Sequence, residues 1–464
     1  MVRAYRLCSL ALLSWPLLLA AQTPPEIATI MERLDRVERE NRSLTDEVRA
    51  LRAELDALRG AKEAKAAAPA NAQAGAETPL ASGTIEERLD IQDHRIEEQA
   101  QTKVEASQRF PLRFTGMALL NTFLNSRQNG GVDYPTVAAP AGNDKGGATL
   151  RQTLLGLEYR GPQTFFGGSV HGALYMDFFQ GAAPLQEWIR LRTGTIELNW
   201  RNRSFKAGVD KPIFNPREPD SLAQVGVSPL TGAGNLWLWI PQVRLEQDIA
   251  MGSSSGLRAQ FGAVETHEVN PYGPAPPNNR IEPVRPGLEG RLEAYHKLDD
   301  ERRLEMSVGF HTSTTHADGF SIPSSLVSLD WFFNPWRRVE FSGAFFSGRN
   351  VANLGTGAVN QGYYIASGPY AAAEAIHAIG GWGQLTLHTL RRVDLHLFTG
   401  QQDYEDAQLQ PGSVGKNLLF GGNLFIRVAP NVILAPEVTQ LRSNYIGQRT
   451  RINNHYDLAL AYLF

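Results

Sequence analysis

The sequence predicts an all-β transmembrane barrel of about sixteen antiparallel strands, preceded by an N-terminal α-helical coiled coil. Three observations lead there. The last residues alternate large apolar side chains (Tyr456, Leu458, Leu460, Tyr462, Phe464) with His455, Asp457, Ala459, Ala461 and Leu463. That period of two gives one strand an aromatic face and a smaller, partly polar one. From residue 110 onward, the connections between strand candidates alternate between short and long. Residues 27–58 instead carry a heptad. An ordinary amphipathic strand that happens to be last is the plain alternative for the terminal segment.

Arg3 and Arg6 precede an apolar run from Leu7 to Leu19 that is broken by Pro16, and Ala20-Ala21 before Gln22 supplies a cleavage position. Residues 1–21 therefore read as a secretory signal peptide, too short and wrongly flanked for a membrane span. The chain's 1 cysteine, Cys8, falls inside it. The mature chain is then expected to hold no disulfide, iron–sulfur cluster or thiol nucleophile. Cys8 also lies too early to be a lipid-anchor site.

The coiled coil is expected over residues 26–59. Ile27, Leu34, Asn41, Val48 and Leu55 occupy its a positions, and Ile30, Val37, Leu44, Leu51 and Leu58 its d positions. A stripe this narrow cannot be buried by one helix alone, so the segment must associate, with Asn41 fixing register. A lone amphipathic helix packed on a domain is the alternative. Arg33-Leu34-Asp35-Arg36-Val37-Glu38 resembles a trimer-specifying pattern, in which an Arg stem covers the core and its head meets a neighbour's Glu. Residues 60–83, rich in Ala, Pro and Gly, read as a linker. Residues 84–108 read as a short helical segment around Ile85, Leu89, Gln92 and Ile96, with polar d positions.

Residues 110–464 form the barrel in this reading. No apolar run of about 20 residues follows the signal peptide, so no transmembrane helix is expected. A mean hydropathy of -0.28 suits a soluble protein, but a barrel hides its membrane signal by alternation. The charge is nearly balanced, 45 Lys+Arg against 48 Asp+Glu, and nothing points to nucleic acid. The 43 glycines suit a chain of strands and turns. Short turns are expected at 160–162, 201–203, 252–254, 299–301, 334–336, 390–392 and 429–431. Long connections are expected at 127–147, 212–241, 270–286, 350–374 and 404–415, with three short ones near Gly181, His316 and Ile446.

Single strands show two faces. Leu304, Met306, Val308 and Phe310 alternate with Arg303, Glu305, Ser307 and His311. A charged face cannot meet lipid, where a mid-plane Arg costs ~2–4 kcal/mol, so it must line a wet interior. Residues 188–200 change phase near Thr193–Thr195, which reads as a bulge. A soluble β-sandwich or β-helix is the rival, and the long strands with aromatics near their ends (Phe165, Phe166, Trp188, Trp200, Trp331, Trp336, Tyr462) favour the membrane barrel.

No G-x-S-x-G, H-E-x-x-H or Walker sequence occurs, so no enzyme, metal or cofactor is expected. Ser/His or Asp/His pairs that meet only in the fold stay open, which keeps a barrel lipase or protease as an alternative. Among the histidines only His311 and His316 lie close together, and a turn explains them; His267, His296, His388 and His396 read as strand-face residues. Parity nominates Arg113, Lys206, Arg244, Arg258, Arg291, Arg303 and Arg427 as inward cations, and Asp210, Glu246, Glu293, Glu305, Glu340 and Asp394 as inward anions. Such charges either act on solutes or pair across strands and hold the wall.

Signal peptide, coiled coil, linker and sixteen-stranded barrel together resemble the trimeric DcaP-like porins and, more distantly, the phosphate-selective porin O/P family. The match in motifs comprises Phe114-Thr115-Gly116 opening the first strand, Ala207-Gly208-Val209-Asp210-Lys211-Pro212 entering the third long loop and Pro241-Gln242-Val243-Arg244-Leu245 leaving it. Family members often carry Gly-Gln and then Trp-Ser at the entry. Val209 and Asp210 stand there instead, so ligand specificity is not carried over. The resemblance implies that residues 212–241 fold into the pore, where Arg217, Glu218 and Asp220 would touch solute. It also implies an outer-membrane homotrimer surrounded by lipid, with the coiled coil in the periplasm and the terminal Phe464 read by the barrel-insertion machinery. The function it implies is passive diffusion of small hydrophilic solutes. Inward arginines, which grip carboxylates bidentately, add an expected mild preference for small anions such as carboxylates. A coiled-coil-tethered structural barrel with a plugged lumen is the other alternative.

Overall fold

Period-two alternation lets each strand bury one set of side chains and leave the other outside, and repeated hairpins then close on themselves. The computed structural model describes residues 111–180, 188–266, 268, 281–317, 319–366 and 372–464. The signal peptide, coiled coil, linker and short helical segment all lie outside these residues, as do His267 and the connection after Gly181. The strands are β1 (Leu112–Asn125), β2 (Lys145–Thr149), β3 (Leu154–Thr164), β4 (Gly168–Gln180), β5 (Trp188–Trp200), β6 (Arg203–Asp210), β7 (Ile240–Ala250), β8 (Ser255–Val264), β9 (Ile281–Lys297), β10 (Arg303–Ala317), β11 (Phe320–Trp336), β12 (Val339–Arg349), β13 (Tyr363–Ala366), β14 (Ala372–Ala375), β15 (His377–Leu390), β16 (Val393–Tyr404), β17 (Val414–Ala429), β18 (Val432–Tyr445) and β19 (Arg451–Leu463).

All but β13 and β14 belong to one antiparallel sheet. β2 and β3 both pair with β1, the first against its upper half and the second against its lower half, and so act as one broken stave. The wall thus has sixteen staves, as the sequence predicts. The terminal strand closes it, from Met117↔Leu463 to Asn125↔His455. Phe464 donates its N–H to the Gly116 carbonyl (3.1 Å) and accepts from the Gly116 N–H (3.0 Å), and its ring stacks on Phe114 at 5.3 Å. On β19, Tyr456, Leu458, Leu460 and Tyr462 point outward and are exposed, while His455, Asp457, Ala459 and Ala461 are buried inside. The apolar outer face continues around the wall through Leu245, Val308, Val327 and Leu397.

Two expected turns fall elsewhere. Residues 160–162 form an irregularity within β3, and the chain reverses at Phe165–Gly167, where Phe166 adopts a positive φ of 57°. β11 likewise runs through Asn334-Pro335-Trp336 by means of an irregularity and turns at 337–338. In both places the Pro marks a break in the ladder rather than the reversal, because a missing N–H is also tolerated at a bulge. Lys145–Gly147 and 281–286 are strand rather than loop. The phase change in β5 is real, and Arg192 is its extra residue, between Leu191↔Met176 and Thr193↔Tyr175. At the β9–β10 turn, Asp299 accepts from Arg302 Nε (2.8 Å) and from the Arg302 and Glu301 amides. The Arg302 guanidinium, foremost among these donors, holds the Asp299 carboxyl below the usual range.

Candidate functional site in the barrel interior

The interior is organised by residues 211–239, between β6 and β7, which run inside the wall rather than over its rim. Their contacts trace the path. The Ser328 hydroxyl of β11 donates to the Phe214 carbonyl (3.0 Å). Asp220 is held by Gln384 of β15 and by Asn423 of β17, which donates to its carbonyl (2.9 Å). The Ser221 hydroxyl donates to Glu437 of β18 (2.6 Å), and Asn121 of β1 donates to the Leu222 carbonyl (2.8 Å). Gln152, between β2 and β3, accepts from the Val225 and Gly226 amides (2.7 Å each). The segment then doubles back, and Leu230 and Ala233 pack against Trp382, Phe398 and Leu419 of β15–β17. Small wall residues allow this approach: a Cβ on Gly400 would lie 2.2 Å from the Ala233 carbonyl oxygen.

Three sets of charges surround this inner loop. The first is tight and centred on buried groups, with Arg258 and Arg303 at its exposed edge. Arg217 of the loop reaches Asp330 (2.7 Å), Glu305 (2.8 Å) and Glu293 (3.0 Å). Arg291 grips Asp330 bidentately (2.8 and 2.9 Å) and contacts Glu293. Arg258 also reaches Glu293 (2.8 Å), and Arg303 reaches Glu305 (2.8 Å). The side chains of Asp330, Glu293 and Arg291 are at most 3 % exposed. Such a network fixes geometry more than it stabilises, because its desolvation cost consumes most of its Coulomb gain.

The second set is looser, and all of its members are partly exposed. Lys206 lies between Glu197 (3.3 Å) and Asp210 (3.1 Å), and Arg244 follows at 3.7 Å from Asp210. Beside them, Lys211 and Glu218 of the loop are 3.1 Å apart. These side chains are 11–35 % exposed. By contrast, the inward Gln384, Thr386, His396, Asn423, Glu437 and Asp457 of β15–β19 are buried. Water therefore reaches the charged wall of β5–β7 next to the loop, as it reaches Arg258 of β8 and Arg303 of β10, while the inward face of β15–β19 is covered.

The third set lies towards the long-loop end of the barrel. Arg190 grips Asp177 (2.7 and 3.1 Å), and Arg192 meets the same carboxylate at 3.0 Å. Both arginines also donate to the loop, at the Gly226 and Val225 carbonyls respectively. Arg192 lies 4.3 Å from the Trp239 ring and Arg151 lies 4.6 Å from Phe179, which Arg190 shares. Lys145 meets Asp133 at 2.8 Å, and Arg151 meets it at 3.5 Å. Four cations here, Lys145, Arg151, Arg190 and Arg192, share two carboxylates, Asp133 and Asp177, which leaves a local excess of two positive charges.

Most of the nominated charges are thus joined in pairs. Glu246 takes Arg258 at 3.5 Å; Asp394 takes Arg427 (2.7 Å) and His388 (2.7 Å), and Glu340 stands 3.3 Å from His388. Arg113 lies near the open end of β1, in register with Glu158. Arg217 and Glu218 are both on the inner loop but in different sets, and Asp220 is exposed. His396 bonds Asn423 (2.7 Å) and His296 bonds Ser255 (2.8 Å). Among the described residues no group of three or more His, Cys, Asp or Glu could hold a metal ion. Parity along the strands does not nominate Arg151, Arg190 or Arg192. Arg192 is the extra residue of the bulge and Arg190 lies two residues before it, where strict parity loses its meaning, and Arg151 lies between strands, where parity does not apply.

No family model matches the chain, and no curated protein matches it in sequence. Its fold does match solved structures. The outer membrane channel DcaP of Acinetobacter baumannii superposes with a TM-score of 0.64 at 15 % identity, covering 76 % of this chain and 97 % of that one. An anion-selective porin from Comamonas acidovorans gives 0.51 at 11 % identity, covering 76 % and 99 %. At such identities the likeness is one of fold. The resemblance to DcaP-like porins holds at that level.

Proposed function

We propose that this protein is an outer-membrane diffusion channel, not an enzyme, passing small hydrophilic solutes without energy input. The observation that carries this reading is the asymmetry of the interior. The inner loop packs closely against β10–β12, β15–β19 and β1–β3 and is tied to β5 through Arg190 and Arg192, whereas Glu197, Lys206, Asp210 and Arg244 of β5–β7 beside it keep partial access to water. A tether or a plugged structural barrel has no use for a charged strip that water still reaches. The fold shared with a solved outer membrane channel and with a porin supports the same reading. In planar bilayers the protein is expected to give stepwise ohmic currents. A folded barrel that never conducts would return the argument to a plugged tether or a barrel enzyme.

The nominated pore-lining residues take different roles in this proposal. Lys206, Arg244, Glu246 and Arg258 border the passage, with Glu218 and Asp220 on the loop, whereas Arg217, Arg291, Glu293, Arg303 and Glu305 position the loop. Arg113, Asp394 and Arg427 lie nearer the short-turn end. Selectivity by sign is mild and favours anions. Its source is the surplus of two positive charges at Lys145, Arg151, Arg190 and Arg192 rather than Arg244 or Arg303, which acids neutralise. Reversal potentials across a salt gradient should show anion preference that falls in Arg151→Gln and stays in Arg303→Gln; the opposite pattern would move the source.

Residues 26–59 are proposed to form a periplasmic trimeric coiled coil, following residues 1–21 as a cleaved signal peptide and joined to the barrel (110–464) through 60–83 and 84–108. Crosslinking the full-length protein in detergent should give a three-subunit species, and a monomer would reject this part.

A further inference from the structure

We infer that the passage beside the inner loop favours zwitterions, small solutes that carry one cationic and one anionic group. This rests on the channel reading and names its solute class. The argument starts from the contrast between two kinds of ion pair. Around Asp330 the pairs are short and the carboxylate is wholly buried, so a solute has no free face of it to approach. Along the strip of Glu197, Lys206, Asp210, Arg244, Lys211 and Glu218, the pairs are longer, 3.1–3.7 Å, and both members of each keep partial exposure to water. Signs alternate along that strip: Glu197, Lys206, Asp210 and Arg244 follow one another as minus, plus, minus, plus, and Lys211 with Glu218 adds a plus and a minus alongside. Three acids face three cations, so the strip has no net charge to attract a simple ion.

A singly charged solute entering the strip must open a pair to find a partner. It leaves the other member with water alone, in a passage whose walls weaken the screening. A solute with both charges lies against a pair in the opposite sense. Each of the four charges then has an opposite neighbour, and nothing is left uncompensated. Long, partly exposed pairs are worth little individually, so the exchange is fast in both directions, as conduction requires. The positive surplus at Arg151 and Arg190 adds a smaller bias, which places anions above cations. The expected order at equal size is zwitterion, then anion, then cation.

The test uses proteoliposomes of the full-length protein and three probes of nearly equal size. One is a permanent trimethylammonio-sulfonate zwitterion, and the others are its isosteres with either the sulfonate or the ammonium made neutral. The zwitterion is expected to enter about three- to fivefold faster than either isostere, a ratio set by the worth of one exposed ion pair. Glu218→Gln leaves Lys211 unpaired and should raise entry of the anionic isostere while the zwitterion loses its lead. Lys211→Gln should do the reverse, with the cationic isostere gaining. A zwitterion rate between those of its two isosteres in the native channel, or a lead that survives both substitutions, overturns the inference while ohmic conductance still supports the channel. Absence of conductance overturns both together.

Discussion

Arg217→Ala is expected to release the inner loop from the β9–β11 wall and to widen the channel, seen as a larger and noisier single-channel conductance. Arg217 is the loop's ionic hold on that wall, with one guanidinium meeting Asp330, Glu305 and Glu293 at 2.7–3.0 Å. Opening a mostly buried ion pair costs about 3–5 kcal/mol when a partner is left unpaired. Asp330 and Glu293 keep Arg291, and Glu305 keeps Arg303, so the loss belongs near the lower end, about 3 kcal/mol. The barrel wall has its own ladder, so the loss should appear in the loop before the fold. Arg217→Lys keeps the charge but not the planar fork, and a single ammonium cannot serve three carboxylates in that geometry. It should lie between the native protein and alanine in both conductance and thermal stability. Native conductance in Arg217→Ala would mean that the apolar contacts of Phe214 and Leu236 seat the loop unaided.

The wall was legible because its rule is local. Parity places Arg303, Glu305, Ser307 and His311 inside and Met306, Val308 and Phe310 outside, and a terminal strand with small inward residues at Ala459 and Ala461 leaves room for Leu222. The sequence also indicates which connection is long, but not where it lies. Only contacts between residues far apart in sequence, from Val225 with Gln152 to Ser221 with Glu437, put residues 211–239 inside. Pairing hid from sequence for a related reason. Arg244 and Arg303 look alike along their strands, yet one stands loosely 3.7 Å from Asp210 and the other sits 2.8 Å from Glu305 beside a buried network. Parity failed where strand regularity failed. The extra residue at Arg192 puts both Arg190 and Arg192 on Asp177, a convergence that strict alternation would not register until the bulge is located.

Gly234→Ala is expected to lift the loop's returning limb off the wall, lowering the thermal transition and making the current unsteady. Two physical causes act at this residue. Its φ of +100° lies in the region that L side chains rarely adopt, worth roughly 1–2 kcal/mol against any replacement. A Cβ there would also sit 2.3 Å from the Gly381 carbonyl oxygen, 2.5 Å from the Gly381 nitrogen and 2.6 Å from the Gln401 carbonyl oxygen. All three are backbone atoms of the wall, so no side chain can swing aside. The limb must retreat, and Leu230 and Ala233, now wholly buried against Trp382 and Phe398, would then be exposed. Burying a Leu side chain is worth about 1.5–3 kcal/mol, so lost packing at least equals the strain. Gly252 separates the two causes. It has a φ of +90° in a short turn, with no neighbour within 4 Å of a Cβ. Gly252→Ala should therefore show the strain alone, a smaller fall in stability with an unchanged current. If both substitutions cost the same and both leave the current steady, the close approach of Gly234 to β15 and β16 does not hold the loop in place. The seat of the constriction would then be sought at Arg217 and Asp220.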